Sequence, residues 1–380
     1  MYPPRPDHAL DEAFMDQALA LGRRGLGRTW PNPSVGAIVL GPAGQVVGRG
    51  FTAPSGRPHG EAIAFDRAGP AAAGGTLYVT LEPCSHRTLR GHVPCVERTI
   101  LSGVRRVVSA MHDPNPLIAG LGHALLRTAG ISVTVGVRNA EAQRVHRGHV
   151  LRVTEGRPLV TLKIARTADG FAGALDAAGR GARRQISCEA AGRWVHLQRA
   201  RHDVIMVGVS TVIADDPQLT VRLSGMAEMS PVRVILDSML RVPASAQVVT
   251  TAAEAPTWII AAETAPIEAE HRLVARGVEV MRVSSSAEGR LDLREALKLL
   301  ATRGVTRIFS EGGPTVGAEL ARLGLADEVL LSTSPTPLGA PGVPAIQAAL
   351  ADALANPARY RLAETELLGQ DRLDRYERVQ

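Results

Sequence analysis

The chain has 380 residues, 45% of them hydrophobic and only 3% aromatic, and its 43 Lys and Arg against 37 Asp and Glu leave a formal charge of +6. This length suits two ordinary domains with separate cores, and three cysteines are too few for a disulfide framework. The charge excess suits small anionic ligands and is too scattered to indicate nucleic acid; no apolar run approaches eighteen residues and Met1 to His8 lack a signal pattern, so a soluble cytoplasmic protein is expected.

Phe14, Ala18 and Leu21 recur at helical spacing after an acidic start, which predicts a first helix from Asp11 to about Arg24. Val35 to Leu40 and Val46 to Gly50 flank the turn Gly41-Pro42-Ala43-Gly44 and read as a hairpin. A helix near Glu61, a strand from Thr76 to Leu81, a helix from Pro94 to Leu101 and a strand from Arg105 to Ser109 follow. A helix from Gly122 to Thr128, a strand from Ile131 to Val135 and a helix through Glu141 to His149 complete an α/β sandwich. The polar turn Glu155-Gly156-Arg157-Pro158 reads as a domain junction, giving domains 1–150 and 151–380. The second half alternates again, with strands near Leu159 to Ile164, Val204 to Val207, Val232 to Leu236, Thr257 to Ile260, Val278 to Val283 and Arg307 to Ser310. No repeat of 20–50 residues is visible.

Within the first half, His59-Gly60-Glu61 is followed by Glu82-Pro83-Cys84 and Pro94-Cys95. One imidazole and two thiolates can supply three ligands to a tetrahedral zinc, and a carboxylate two residues from the histidine can move protons, the equipment of a hydrolytic deaminase. Zinc lowers the pKa of water to roughly 7, which makes a nucleophile available at neutral pH. His59 and Glu61 would share the first turn of a helix, Cys84 would emerge at a strand end, and Cys95 would open a helix whose dipole favours a thiolate. His86 and His92 lie between the two cysteines and stay open as substitute ligands.

Pro31-Asn32-Pro33-Ser34-Val35-Gly36, Val79-Thr80-Leu81-Glu82-Pro83-Cys84-Ser85-His86 and Asp113-Pro114-Asn115-Pro116, together with His59-Gly60-Glu61, closely resemble the bifunctional riboflavin-biosynthesis deaminase/reductase family. The resemblance continues in Lys163, Asp169-Gly170, the run from Thr211 to Arg222, Asp237-Ser238 and Glu311-Gly312-Gly313-Pro314-Thr315. It implies an α/β chain with an N-terminal cytidine-deaminase-like three-layer sandwich and a C-terminal dihydrofolate-reductase-like domain. The first domain would deaminate a diaminopyrimidinone ribosyl phosphate and the second would reduce its ribose to ribityl with NADPH. Residue by residue, His59, Cys84 and Cys95 would hold Zn2+, Glu61 would shuttle protons and Asn32 would contact substrate. Thr211, Asp215 and Ser238 would approach NADPH; Arg199, Leu219, Arg222 and Glu311 would surround the sugar phosphate. Gly313, Pro314 and Thr315, between a strand and a helix, would contact the cofactor, with glycine backbone amides at the helix start cradling its pyrophosphate, while Asp215-Asp216-Pro217 reads equally as a helix-capping turn.

The chain also departs from the family. His-Gly-Glu replaces His-Ala-Glu, and ten residues rather than eight separate the cysteines. Arg183-Arg184-Gln185-Ile186-Ser187 stands where the family has Ser-x-Trp-Ile-Thr/Ser, which implies either weakened reduction or a new phosphate contact at Arg183. The alternatives to the bifunctional enzyme are a deaminase whose C-terminal domain is a binding or structural module, and a nucleic-acid base deaminase, which a chain this poor in aromatics supports little. No membrane partner is expected, and a homo-oligomer is left open.

Overall fold

The computed structural model describes residues 6–86, 92–175, 181–182 and 185–379, and the chain divides into two compact units, Met1–Arg157 and Pro158–Gln380. In the first unit, helices α1 (Pro6–Arg23), α2 (Gly60–Ala68), α3 (Cys95–Leu101), α4 (Leu121–Thr128) and α5 (Asn139–Thr154) surround strands β1 (Gly36–Leu40), β2 (Val46–Phe51), β3 (Thr76–Val79), β4 (Arg106–Ser109) and β5 (Ser132–Val135). The sheet order is β2-β1-β3-β4-β5, with β1 antiparallel to both neighbours and β3, β4 and β5 parallel. Helices α1 and α5 touch on one side, whereas α2, α3 and α4 form a chain of contacts in the other layer.

The expected hairpin forms with the expected turn, because Val39 and its neighbours on β1 are wholly buried while β2 sits at the edge. Helix α1 begins at Pro6, earlier than its apolar spacing indicated. Close packing of α2 on the hairpin depends on Gly60: a Cβ there would lie 2.4 Å from the Val35 carbonyl oxygen. The alanine usual in the related motif therefore does not fit this helix position without a backbone shift.

The second unit is built on strands β6 (Leu159–Arg166), β7 (Phe171–Leu175), β8 (Gly181–Ala182), β9 (Val204–Gly208), β10 (Val232–Leu236), β11 (Thr257–Ala262), β12 (Glu279–Val283), β13 (Arg307–Ser310), β14 (Glu328–Thr333), β15 (Gly342–Pro344), β16 (Tyr360–Leu368) and β17 (Asp371–Arg378). Its helices are α6 (Glu189–Ala200), α7 (Val209–Asp215), α8 (Gln247–Thr250), α9 (Ile267–Val274), α10 (Leu293–Thr302), α11 (Pro314–Arg322) and α12 (Ala348–Ala355). Nine strands form one sheet in the order β12-β11-β10-β9-β13-β6-β14-β17-β16, and β15, β7 and β8 form a small second sheet. From β12 to β14 the pairings are parallel; β17 and β16 add antiparallel to the far edge.

Every residue of β10 and β11 is buried, as expected of central parallel strands covered on both faces. Full burial of side chains such as Ile235 and Ile259 contributes roughly 1.5–3 kcal/mol each. Strand β13 returns between β9 and β6 after the chain has run outward through β12, so connections diverge around β13. In sheets of this kind, ligands bind in the crevice beyond the carboxyl ends at such a reversal. Among the described residues, no helix is long and apolar enough to cross a membrane.

Candidate functional site

Three segments meet beyond the carboxyl end of β3. His59 is the N-cap of α2, Cys84 lies five residues past the end of β3, and Cys95 is the first residue of α3. His59 Nδ1 lies 3.3 Å from Cys95 Sγ and 3.6 Å from Cys84 Sγ, and the three ligand atoms converge within 4.8 Å of one another. An imidazole and two thiols at these separations fit three positions of a tetrahedral zinc. Among the described residues, neither His86 nor His92 joins this group.

The sequence placed the helix dipole of α3 on Cys95. The structure instead aims the Cys95 backbone N–H at Cys84 Sγ, 3.4 Å away. Hydrogen bonding from the Cys95 thiol, against the cost of burial, brings Cys84 down to about 4; the same pairing, with burial, pushes Cys95 up. A proton-poor thiolate is the ligand form zinc requires.

Glu61 stands in the first turn of α2 with its side chain almost wholly buried, and its Oε2 is buried without a hydrogen-bond partner. Burial pushes its carboxyl above the ordinary range. A carboxyl group raised in this way holds a proton more readily than an exposed one and can still return it. Asn32 donates to the Gly56 carbonyl at 3.0 Å, in the segment that leads to His59.

Sequence reasoning gave Glu82 no role beyond its place in the motif. Its carboxylate accepts backbone N–H groups from Asp113 at 3.0 Å, Gly120 at 2.8 Å and His123 at 3.2 Å. It thereby ties the Asp113-Pro114-Asn115-Pro116 loop and the start of α4 to the strand end that presents Cys84. The three N–H groups come from a region 31 to 41 residues away, which no local spacing could reveal.

In the second unit, the cofactor and substrate candidates gather at the carboxyl ends of the parallel strands. Thr211 and Asp215 lie on α7 directly after β9, Ser238 follows β10, and Glu311 to Thr315 follow β13. A Cβ on Gly313 would sit 3.8 Å from Thr211 Oγ1, so these two candidates face each other across the β9 and β13 turns. Gly313 is the N-cap of the nine-residue α11 and supplies no side-chain cap, with Pro314 in the first turn. That leaves N–H groups of the first turn without a side-chain acceptor, an arrangement suited to a dinucleotide phosphate. Asp216, in the left-handed region with φ 38°, caps α7 and accepts the Gln247 backbone N–H at 2.8 Å. The capping reading of this turn thus applies to Asp216, while Asp215 stays on the helix.

Arg199 directs its fork at Glu311, with Nε 2.7 Å and Nη2 3.0 Å from the two carboxylate oxygens, and donates through Nη1 to the Thr220 carbonyl. Burial pushes Glu311 up, but the Arg199 guanidinium outweighs it and holds the carboxyl below its ordinary range. Lys163, on β6, sits in the field of both groups, and burial lowers its ammonium pKa. The Leu219 side chain belongs to the buried core and its backbone adopts φ 57°, so the backbone is what it offers a ligand. Arg222 is exposed, with its N–H 3.3 Å from His196 Nδ1. His196 was missed; it neighbours Arg199 and Arg222, whose charges with burial lower its pKa. Asp169 accepts backbone N–H groups of Leu338 and Gly339 and the Thr167 hydroxyl, which makes the Asp-Gly motif a turn brace. Arg183 and Arg184 lie outside the described residues.

Residues 8–111 match the cytidine and deoxycytidylate deaminase zinc-binding region, and residues 158–373 match the RibD C-terminal domain. The chain is 39% identical over 337 residues to riboflavin biosynthesis protein RibD of Bacillus amyloliquefaciens, covering 89% of this chain and 88% of that protein. It is 34% identical over 373 residues to RibD of Escherichia coli, covering 95% and 97%. The structure of Acinetobacter baumannii RibD, form 1, matches with a TM-score of 0.85 at 33% identity, covering 98% of this chain and 100% of that one. A Thermotoga maritima diaminohydroxyphosphoribosylaminopyrimidine deaminase/5-amino-6-(5-phosphoribosylamino)uracil reductase matches with a TM-score of 0.81 at 31% identity, covering 98% and 100%. With a deaminase zinc centre in one unit, a reductase unit beside it in sequence and this similarity along nearly its whole length, the chain belongs to the RibD family of bifunctional riboflavin-biosynthesis enzymes.

Proposed function

We propose that the chain carries out two consecutive reactions on a pyrimidine ribosyl phosphate: hydrolytic removal of an exocyclic amine, then reduction of the ribosyl side chain to ribityl. The observation that carries this reading is the buried, unpartnered Glu61 Oε2 beside the convergent His59, Cys84 and Cys95.

When bound, zinc supplies Lewis acidity and makes water a competent nucleophile near neutral pH. His59 Nδ1 and the two thiolates would hold it. Glu61 would take a proton from the attacking water as the new C–O bond forms and pass it to the ring nitrogen, then take the second proton from the hydroxyl so formed and deliver it to the amine as the C–N bond breaks, the carbonyl forms and ammonia leaves. Its raised pKa and dry surroundings suit a group that must change protonation state within one turnover.

When bound, NADPH supplies the hydride, and Thr211, Asp215, Ser238 and the backbone N–H groups of Gly313 and Thr315 at the start of α11 would orient it. Reduction of the opened ribosylamine adds hydride to the sugar carbon and a proton to the nitrogen. Lys163 would hold that proton, and burial, which lowers its ammonium pKa, supports its giving the proton up. Arg199 and Glu311 brace each other and shape the wall around it, and Arg222, exposed, would take the phosphate. The substrate's charge confines it to the compartment where it is made, which supports a cytoplasmic enzyme.

The test is incubation of zinc-loaded protein with the diaminopyrimidinone ribosyl phosphate, with and without NADPH, followed by mass spectrometry. A deaminated product without cofactor and a further reduced product with it are expected. Deamination alone in abundant NADPH would reduce the second unit to a binding module, and no deamination would refute the reading of the first.

A further inference from the structure

A second group of metal-ligating side chains lies outside the set just assigned: Glu82, His112 and His123. They come from three segments, the stretch after β3, the stretch after β4 and helix α4. The two Nδ1 atoms are 3.2 Å apart, and they lie 3.5 Å (His112) and 3.6 Å (His123) from Glu82 Oε2.

The two separations from the carboxylate carry the argument. A hydrogen bond between a ring N–H and a carboxylate runs about 2.7–3.2 Å, and a contact of about 3.6 Å is not one. Ligands at about 2.0–2.2 Å from a tetrahedral ion, in contrast, stand about 3.3–3.6 Å from one another. The two edges to Glu82 Oε2, 3.5 and 3.6 Å, are those of a metal site, and the His59 contacts with Cys95 and Cys84, at 3.3 and 3.6 Å, have the same size, while the 3.2 Å edge between the two rings is also that of a ring N–H···N hydrogen bond.

Burial points the same way. The Glu82 side chain is 2% exposed and accepts the backbone N–H groups of Asp113, Gly120 and His123, which fix its carboxylate in place. Among the described residues its ion-pair partners are His112 and His123 alone, and the His123 ring is wholly buried, where imidazole favours its neutral form. His123 Nε2 is buried without a partner whichever state Nδ1 adopts, so it does not distinguish the alternatives. His112 is 54% exposed, which gives an ion a route in and a side open to water.

We propose that Glu82, His112 and His123 form a second divalent metal site, of the two-imidazole, one-carboxylate type that takes zinc, which staples the Asp113 to Gly120 loop and α4 to the strand end carrying Cys84. Two nitrogens and one oxygen suit zinc and its neighbours over calcium or magnesium. The site is independent of the thiolate set: it contains no sulfur and shares no ligand with it.

The experiment uses the full chain, dialysed against excess zinc and then desalted, with metal measured by mass spectrometry. Two zinc ions per chain are expected, falling to one in His112→Asn, an exposed substitution, and in His123→Asn. Cobalt loading supplies a reading without any variant. The thiolate site gives an intense near-ultraviolet charge-transfer band, and a further equivalent should add weak visible absorption with no added charge transfer. A wild-type chain that holds one ion and shows only the thiolate spectrum overturns the proposal, as does a His112→Asn chain that still holds two. Failure of the thiolate assignment instead would appear as cobalt binding with no charge-transfer band at all.

Discussion

The two units prepare for chemistry in opposite ways. In the first, the carboxylate atom that would move protons is left without a protein partner: Glu61 Oε2 is buried and unsatisfied. In the second, the charged groups nearest the candidate substrate site satisfy each other, Arg199 on Glu311 with two hydrogen bonds. Unsatisfied buried groups cost about 1–3 kcal/mol each, so the first unit holds its site at an energetic cost, to be offset when ligands arrive. The second closes its ion pair within the protein and carries no such unsatisfied atom in it.

The difference can be broken most severely at Glu61. Glu61→Gln should retain zinc and lower deamination by about 10²–10⁴-fold, with reduction of the deaminated intermediate unchanged. Near-wild-type deamination would remove Glu61 as proton shuttle. Next, Cys84→Ser or exhaustive chelation should abolish deamination and lower the melting temperature of the first unit while leaving that of the second in place, as calorimetry would record. A matching shift in both transitions would mean that the units do not unfold separately.

The closed pair gives a test in the other unit. Glu311→Leu strands a buried guanidinium, which should cost about 3 kcal/mol of stability in the second unit and slow reduction, leaving deamination intact; a fully stable variant would show that Arg199 finds another acceptor. The smallest effect is expected at Asp169, whose carboxyl is held down to about 2 by the Leu338 N–H, the Thr167 hydroxyl and the Gly339 N–H. A depressed folded pKa stabilises above the unfolded value and loses that effect as pH falls through the folded one. The melting-temperature gap between wild type and Asp169→Asn should therefore be present at neutral pH and close between about pH 4 and pH 2. A gap that persists at pH 2 would refute the turn-brace role.

Much of this was legible before the fold was known, for identifiable reasons. Val232–Leu236 and Arg307–Ser310 carry short apolar runs bounded by turns, and the strands have those bounds. The polar β17, Asp371–Arg378, was missed because pairing with β14 and β16 makes it a strand. β16 is exposed along most of its length and offers no alternation to detect. At the sites, residue types and near spacing singled out His59, Glu61, Cys84 and Cys95. Arg199 and Glu311 are 112 residues apart, and their mutual pairing is created by topology alone. The same holds for Glu82, His112 and His123, which no motif joins.

The Cys84 to Cys95 segment is clasped at its two ends. The Cys95 N–H points to Cys84 Sγ, and the Val96 N–H donates to the Cys84 carbonyl at 3.2 Å. A loop closed by its own anchors does not transmit its length to them, and added residues change closure entropy only slowly. Residues can therefore be added between the two cysteines while Cys84 and Cys95 stay where they are.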